Sequence, residues 1–243
     1  MMPILGDISK VVDWLNQNQG LLTLLLFILT GVFAWFSGVF SALRRKPKFI
    51  IRLLDGPTFC CKFPTGEIYN DKYTIHRVGF ALYLKVANIG SASSNIDSVS
   101  IGYKWSVNLF SFSGIRYRIG SFWLREQAVA LEDFHVEIGD SIKVYPFLFQ
   151  RNSMTSGHNE TYLNIGQSVN GVVYFEQSDS WGGCFPISKN GYVKIKIYIQ
   201  DTFGKNHKSV HKISMLSLTE AKKYNPLFGE TLAKMRGEIL PRA

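Results

Sequence analysis

Cysteine and acidic residues are both scarce in this chain. Its 243 residues include only three cysteines, Cys60, Cys61 and Cys184, and 18 Asp and Glu against 27 Lys and Arg. An odd cysteine count with two adjacent members does not fit a disulfide framework, and it favours free thiols in a reducing compartment. The basic excess gives a formal net charge of +9, which suits a domain held near an anionic lipid surface.

The motifs of common enzymes and metal sites are missing as well. We find no Gly-x-Ser-x-Gly nucleophile elbow and no glycine-rich phosphate loop, and the acidic residues are dispersed. His207 and His211 fall on a predicted strand, where their spacing separates the rings by about 13 Å, too far for one metal ion. We therefore expect no enzyme activity, no cofactor, no metal site and ordinary surface histidines. Nucleic-acid binding is not expected, because the basic residues form no stripe or reader motif.

Charge is absent from residues 21–43, and this uncharged run predicts a transmembrane helix. At about 1.5 Å per residue the run would reach about 34 Å, enough for a hydrocarbon core of about 30 Å. A cleaved signal peptide is the alternative, but its apolar core is usually only about 7 to 15 residues. Residues 44–48 supply a basic stop-transfer flank that serves as a membrane charge anchor, namely Arg44, Arg45, Lys46 and Lys48. Because such flanks stay in the cytoplasm, we expect a single pass through a plasma (inner) membrane, with the N-terminus outside and the C-terminal domain cytoplasmic.

Small residues recur every four positions within the predicted span. Thr30, Ala34, Gly38 and Ala42 would make one narrow helical face. Faces of this kind let helices pack closely in lipid, so they predict a homo-oligomer or pairing with another membrane protein. The alternative is a monomeric anchor. Before the span, residues 1–20 are expected to form an interfacial amphipathic segment with a polar break at residues 16–20, or else a frayed tail.

The sequence changes character after Pro47, into short runs of alternating apolar residues between turn residues. This pattern predicts an all-β domain over residues 49–216 with a single core. The clearest alternations are residues 80–86 and 193–199. The nine predicted strands cover residues 49–54, 58–63, 77–88, 96–105, 131–138, 141–149, 168–177, 191–201 and 207–214.

Three phrases in this region resemble those of bacterial immunoglobulin-like domains. They are residues 84–90 (LKVANIG), residues 191–193 (GYV) and residues 201–204 (DTFG). The resemblance implies a single immunoglobulin-like β-sandwich, although the Cys…Trp…Cys pattern of antibody domains is absent. It implies an architecture and no activity.

The remaining segments are a loop and a tail. The loop of residues 178–187 combines aromatic residues with flexible glycines, so it is our candidate partner-binding loop, and Trp181 is either an aromatic anchor or a buried plug. Its candidate residues are Trp181, Gly182, Gly183 and Phe185. Residues 217–243 predict a short C-terminal helical segment, with Thr219 capping its first turn and the tail packing on its own domain or on the membrane.

Together these features favour a non-enzymatic binding or sensing module, a cytoplasmic β-sandwich anchored to the bilayer. Its partners would be the lipid bilayer and an unknown protein or small-molecule ligand. One alternative is a membrane-perturbing effector that assembles through its transmembrane helix, an architecture similar to that of some bacterial phage-defence effectors. Another is an adhesion-like domain that faces outward.

Overall fold

The structure of the protein, a computed structural model, describes residues 13–38, 45–108, 110, 112–155 and 159–230. The chain divides into two units, residues 1–46 and residues 47–243. The described residues are mostly β, with a small helical part.

Helix α1 (Gln19–Phe36) dominates the described part of the first unit. It has 18 residues and a mean hydropathy of 2.0, so it is long and apolar enough to cross a membrane. A turn at Asn18 separates it from helical residues 13–17, so the predicted polar break is confined to one residue. An isolated apolar run of this kind favours a helix, because a helix satisfies the hydrogen bonds of its own backbone.

The helix ends earlier than residue 43, the predicted limit of the span. Gly38 has a φ of +80°, and the Ser37 amide donates to the Phe33 carbonyl at 2.8 Å. Glycine reaches this left-handed conformation without strain and commonly terminates helices. Gly38 is therefore not on a helical face, and the predicted face keeps only Thr30 and Ala34 among the described residues. Ala42, Arg44 and the rest of residues 39–44 lie outside them.

The second unit contains twelve strands and two short helices among its described residues. Helix α2 (Phe112–Gly114) leads into a π-helical turn (Ile115–Ile119), and helix α3 (Leu218–Ala221) follows the last strand. The strands are β1 (Phe49–Leu53), β2 (Phe59–Tyr69), β3 (Tyr73–Asn88), β4 (Ser94–Tyr103), β5 (Phe122–Leu124), β6 (Phe134–Ile138), β7 (Ser141–Tyr145), β8 (Tyr162–Leu163), β9 (Ser168–Ser180), β10 (Ser188–Lys189), β11 (Tyr192–Asp201) and β12 (Asn206–Leu216).

All nine predicted strands are present, with shifted ends, so the mostly β interpretation is confirmed. The additional strands β5, β8 and β10 have only two or three residues. Segments this short carry no readable alternation, because the period of two needs several residues to show.

Strand β3 is the centre of the domain. It pairs antiparallel with β1 and β2 along one edge and with β9 along the other. A second set of antiparallel strands runs β12, β11, β4 and β5, and the parallel pairing of β12 with β2 joins the two sets. Phe49 pairs with Asn88 at the end of the domain where β1 begins, which we call the proximal end. His76 lies twelve residues away on β3, about 40 Å along the strand, at the distal end.

The main core lies between these two sets of strands. The alternating residues Phe80 to Val86 of β3 and Val193 to Ile199 of β11, which the sequence predicted, are buried together in it. Their side chains point to one face because residues two apart on a strand share a face.

A second core covers the opposite face of β3, where we had expected a single core. Ala81 of β3 and Tyr174 of β9 are buried there beneath Phe134 of the β6–β7 hairpin and Phe228 of the C-terminal segment. Strand β3 is therefore buried on both faces. The alternation analysis found only the larger core because residues 77, 79, 81 and 83 include Arg, Gly and Ala.

The C-terminal segment packs on its own domain. Phe228 is 2% exposed, and its ring centroid lies 5.4 Å from that of Phe59 and 5.6 Å from that of Tyr174. The helix cap was predicted wrongly: Ser217, not Thr219, caps α3, and its side chain and that of Glu220 form a reciprocal capping box. Residues 231–243 lie outside the described residues.

Candidate ligand-binding site

The predicted partner-binding loop, residues 178–187, lies at the distal end and is fixed to the chain that follows β4. The amide of Ser106 donates to the carbonyl of Phe185 at 2.8 Å. A Cβ on Gly183 would lie 2.4 Å from the Ser106 carbonyl oxygen, so this close approach requires glycine. The loop is thus fastened in its middle rather than projecting freely.

The two aromatic residues of the loop face in different directions. Trp181 is 43% exposed and stacks on Tyr69 of β2, with ring centroids 4.4 Å apart and planes 16° apart. Phe185 instead packs against the main core and meets the His76 ring edge-on at 5.5 Å. Trp181 is therefore available to a ligand, whereas Phe185 supports the site from behind.

A cavity of about 380 Å³ opens beside this loop, and we call it the basic cavity. Its volume falls within the usual range for small-molecule sites. Only Gly182 among its lining residues was a sequence-predicted site residue. The lining residues are Lys62, Pro64, Lys72, Tyr73, Thr74, His76 and Gly182.

The two lysines of the basic cavity have no carboxylate partner among the described residues. Neither Lys62 nor Lys72 forms an ion pair with a described residue, and no Asp or Glu belongs to the lining. The Lys62 ammonium instead lies 3.6 Å from the centroid of the Phe185 ring, and the Lys72 ammonium lies 5.5 Å from that of Tyr73. Cation–π contacts of this kind compensate only part of the lost hydration.

Burial shifts the titration of two of these groups. It lowers the pKa of Lys62. It also lowers the pKa of His76, and the nearby charge of Lys62 lowers it further, against a backbone hydrogen bond to Cys184 that favours the charged form. Both shifts show that positive charge is disfavoured here without a counter-charge. An anion bound in the cavity would favour the charged forms of Lys62 and His76 and would raise both pKa values.

Two carboxylates of β9 are engaged on the other face of β3. Arg77 donates to Glu176 at 3.1 Å and to Asp179 at 2.5 Å. These hydrogen bonds and charges raise the pKa of Arg77, so the guanidinium stays charged. Because Arg77 holds both carboxylates, they do not neutralise the basic cavity.

A buried polar network fixes the wall of the cavity, and sequence analysis missed it. Gln177 donates to the hydroxyl of Ser180 at 2.6 Å and to the carbonyl of Cys184 at 2.9 Å, and it accepts from the Tyr103 hydroxyl. His76 Nε2 donates to the same carbonyl at 3.4 Å. Tyr103 and Gln177 are 74 residues apart, so no local pattern could have joined them.

The cysteines are free, and none is poised as a nucleophile. Cys60 and Cys61 are both buried, one in each core, because adjacent strand residues face opposite sides. Burial raises the pKa of Cys61 to about 12, and it raises those of Cys60 and Cys184 as well. A raised pKa suppresses the thiolate, which is the reactive form.

The prediction of surface histidines was wrong for His76, His135 and His207, which are buried. The ring of His207 joins three segments: its Nδ1 accepts the amide of Phe49 at 3.2 Å, and its Nε2 donates to Asp201 at 2.8 Å. Such partners across the fold are invisible in sequence. His158 lies outside the described residues, and no cluster of His, Cys, Asp or Glu among those described is suited to a metal ion.

The basic flank leads directly into the domain. Arg45, Lys46 and Lys48 are exposed, and Pro47 between them is buried just before β1 begins. Lys48, which belongs to the second unit, therefore lies at the proximal end, away from the basic cavity.

No protein-family model matches this chain, and no curated protein is significantly similar to it.

Proposed function

We propose that this protein is a membrane-anchored, non-enzymatic binding or sensing module whose β domain takes a small anionic ligand in the basic cavity. Two observations at the distal end carry the proposal together. Lys62 and Lys72 form no ion pair with a described residue, and Trp181 and Tyr69 form an exposed aromatic stack. Helix α1 supplies the anchor.

The electrostatics favour an anionic group, phosphate above all. Hydrogen bonds between charged partners are about twice as strong as neutral ones, and both lysines lack such a partner in the described protein. A bound anion would also stabilise protonated His76 and raise its lowered pKa. Binding would therefore take up a proton, and it would strengthen as the pH falls toward the lowered pKa of His76.

The aromatic residues favour a flat ring attached to that anionic group. Trp181 is 43% exposed and Tyr69 is 40% exposed while they stack on each other. A planar ligand extending this stack would gain contact area on two rings that already stack on each other. Stacking on aromatic side chains contributes about 1–3 kcal/mol per nucleic-acid base.

We further propose that the domain is an immunoglobulin-like β-sandwich. In that fold strand B lies between A and E, and strand F lies between C and G. The pairing of β3 between β2 and β9, and of β11 between β4 and β12, follows the same order. This order places the loop after β9 and the β2–β3 hairpin together at the distal end.

For the membrane, we propose a cytoplasmic domain at a bacterial-type inner membrane. The basic flank after α1 and the three free cysteines support that side. We prefer a binding module to a membrane-perturbing assembly because Gly38 lies beyond the end of α1 and does not extend the helical face of Thr30 and Ala34. The Thr30 hydroxyl, moreover, is occupied within the helix, donating to the Leu26 carbonyl at 2.7 Å.

The test is a calorimetric titration of the full chain in lipid nanodiscs with three probes. We expect saturable binding of adenosine monophosphate, weaker binding of inorganic phosphate, which lacks a ring, and still weaker binding of adenosine, which lacks charge. The monophosphate should be recovered unchanged. Equal binding of adenosine and its monophosphate, binding of neither, or turnover of the probe would each contradict the proposal.

A further inference from the structure

Three turns meet at the proximal end, and each exposes an apolar side chain. Ile89 is 49% exposed, Ile165 is 58% exposed and Phe203 is 70% exposed. They lie in residues 89–93, 164–167 and 202–205, which we call the proximal turns. These turns connect different pairs of strands, so one strand's alternation cannot account for the coincidence.

Hydrogen bonds hold the proximal turns together around the start of β1. Asn88 is fully buried, and its side chain accepts from the Lys48 amide at 3.3 Å and donates to the Leu163 carbonyl at 3.1 Å. The hydroxyls of Ser94 and Thr202 lie 2.9 Å apart in a hydrogen bond. The three exposed apolar residues therefore share one rigid end of the domain.

The shape of the third turn is built to display Phe203. Asp201 is buried, and its Oδ1 accepts from the amides of Phe203 and Lys205, each at 3.0 Å, while its Oδ2 accepts from His207. The Asp201 carboxylate therefore forms its hydrogen bonds within the turn, whereas the Phe203 ring and Lys205 lie on its outer side. Local side-chain hydrogen bonds of this type define Asx turns.

The proximal turns themselves carry only positive formal charge. None of the proximal turns contains Asp or Glu, while Lys205 lies in the third turn and the exposed Lys48 immediately precedes β1. Apolar tips next to the basic side chains of Lys48 and Lys205 match the boundary of a membrane, where acyl chains lie beneath anionic headgroups.

The chain length brings such a surface within reach of lipid. Twelve residues separate Phe36 at the end of α1 from Phe49 at the start of β1, which span at most about 40 Å when extended. We propose that the proximal turns contact the lipid bilayer, with Ile89, Ile165 and Phe203 inserted at the headgroup boundary and the lysines on anionic headgroups. The basic cavity at the distal end then faces away from the membrane. This inference does not depend on the ligand proposed for that cavity.

The experiment uses the full chain in nanodiscs of mixed zwitterionic and anionic lipid. An environment-sensitive dye is attached at Ile165→Cys in a Cys184→Ser background, since the other two cysteines are buried. The matched control is Ile68→Cys, because Ile68 is also an exposed isoleucine, 64% against 58%, but lies at the distal end of β2. Tryptophan fluorescence verifies that each labelled variant is folded, and Phe203→Cys provides a second proximal position.

We expect the dye at Ile165 and at Phe203 to emit at shorter wavelength and to be quenched severalfold by lipids that carry a nitroxide near the headgroup. The dye at Ile68 should show neither effect. Equal quenching at the proximal and distal positions, or no quenching at either proximal position in a folded protein, would overturn the proposal.

Discussion

The contact between Gly79 and Phe228 offers a sharp test of how the C-terminal segment packs. A Cβ added to Gly79 would lie 2.6 Å from Cζ of Phe228 and 3.4 Å from the Tyr174 hydroxyl. Overpacking of a core costs typically about 1–3 kcal/mol, so we expect Gly79→Ala to destabilise the domain by that amount. The substitution Phe228→Leu replaces the ring and removes the Cζ atom that would clash with the added Cβ.

A double-mutant cycle isolates this contact. In the Phe228→Leu background, Gly79→Ala should cost less by about 0.5–3 kcal/mol, the usual range for residues in contact. The measurement is denaturant unfolding of the full chain in nanodiscs, followed by tryptophan fluorescence. The matched control is Gly102→Ala, whose Cβ would meet the Trp123 ring at 2.8 Å in the other set of strands; its cost should be the same in both backgrounds.

Additivity would refute the reasoning. If Gly79→Ala costs the same with Phe or Leu at position 228, to within about 0.5 kcal/mol, Phe228 does not cover Gly79. The second core would then lack its C-terminal part.

Three further predictions concern other parts of the domain. Asn88→Ala removes four side-chain hydrogen bonds at the proximal end and should lower the free energy of unfolding by at least about 1–3 kcal/mol; an unchanged denaturation midpoint would contradict this. Maleimide should label Cys184 before Cys60 and Cys61, which are buried, and mass spectrometry of digests would show equal rates if the burial is wrong. Burial lowers the pKa of His76 in the folded domain, so on acidification the imidazole is protonated in the unfolded chain before it is protonated in the folded one. The free energy of unfolding should therefore decline as the pH falls below about 6.5. His76→Gln should flatten that decline in unfolding curves, and an unaltered pH profile would argue against it.

The strands could be predicted because burial on one face leaves a period of two in the sequence. Residues 80–86 and 193–199 alternate strictly, and both runs lie in the main core. The second core could not be predicted in the same way, because its members come from distant segments. Phe228 follows a proline-interrupted tail, and nothing near it in sequence indicates that it covers Gly79.

The candidate site was only partly predictable for the same reason. The loop of residues 178–187 was noticed because aromatic residues and glycines stand together. Lys62 and His76, however, reach the cavity through the pairing of β2 with β3, where Pro64 lies opposite His76. That Lys62 forms no ion pair with a described residue is a property of the fold and is not visible in the sequence.

The end of helix α1 illustrates the opposite error, a pattern extended too far. A spacing of four residues joined Thr30 and Ala34 to Gly38, but spacing defines a face only while the backbone remains helical. Glycine is both a small packing residue and a helix terminator. At Gly38 the second property prevails, as its φ of +80° shows.

The central claim is that the basic cavity binds an anionic ligand through Lys62, and one comparison tests it most directly. We would measure the affinity of the full chain in nanodiscs for adenosine monophosphate in Lys62→Gln and in Lys143→Gln. Both lysines lie over an aromatic ring, Lys62 at 3.6 Å from Phe185 and Lys143 at 5.2 Å from Tyr145, but Lys143 is not part of the cavity. A hydrogen bond to a charged group contributes about 1.5–3 kcal/mol, so Lys62→Gln should weaken binding at least about tenfold and Lys143→Gln should leave it unchanged. Equal affinities of the two variants would contradict the claim.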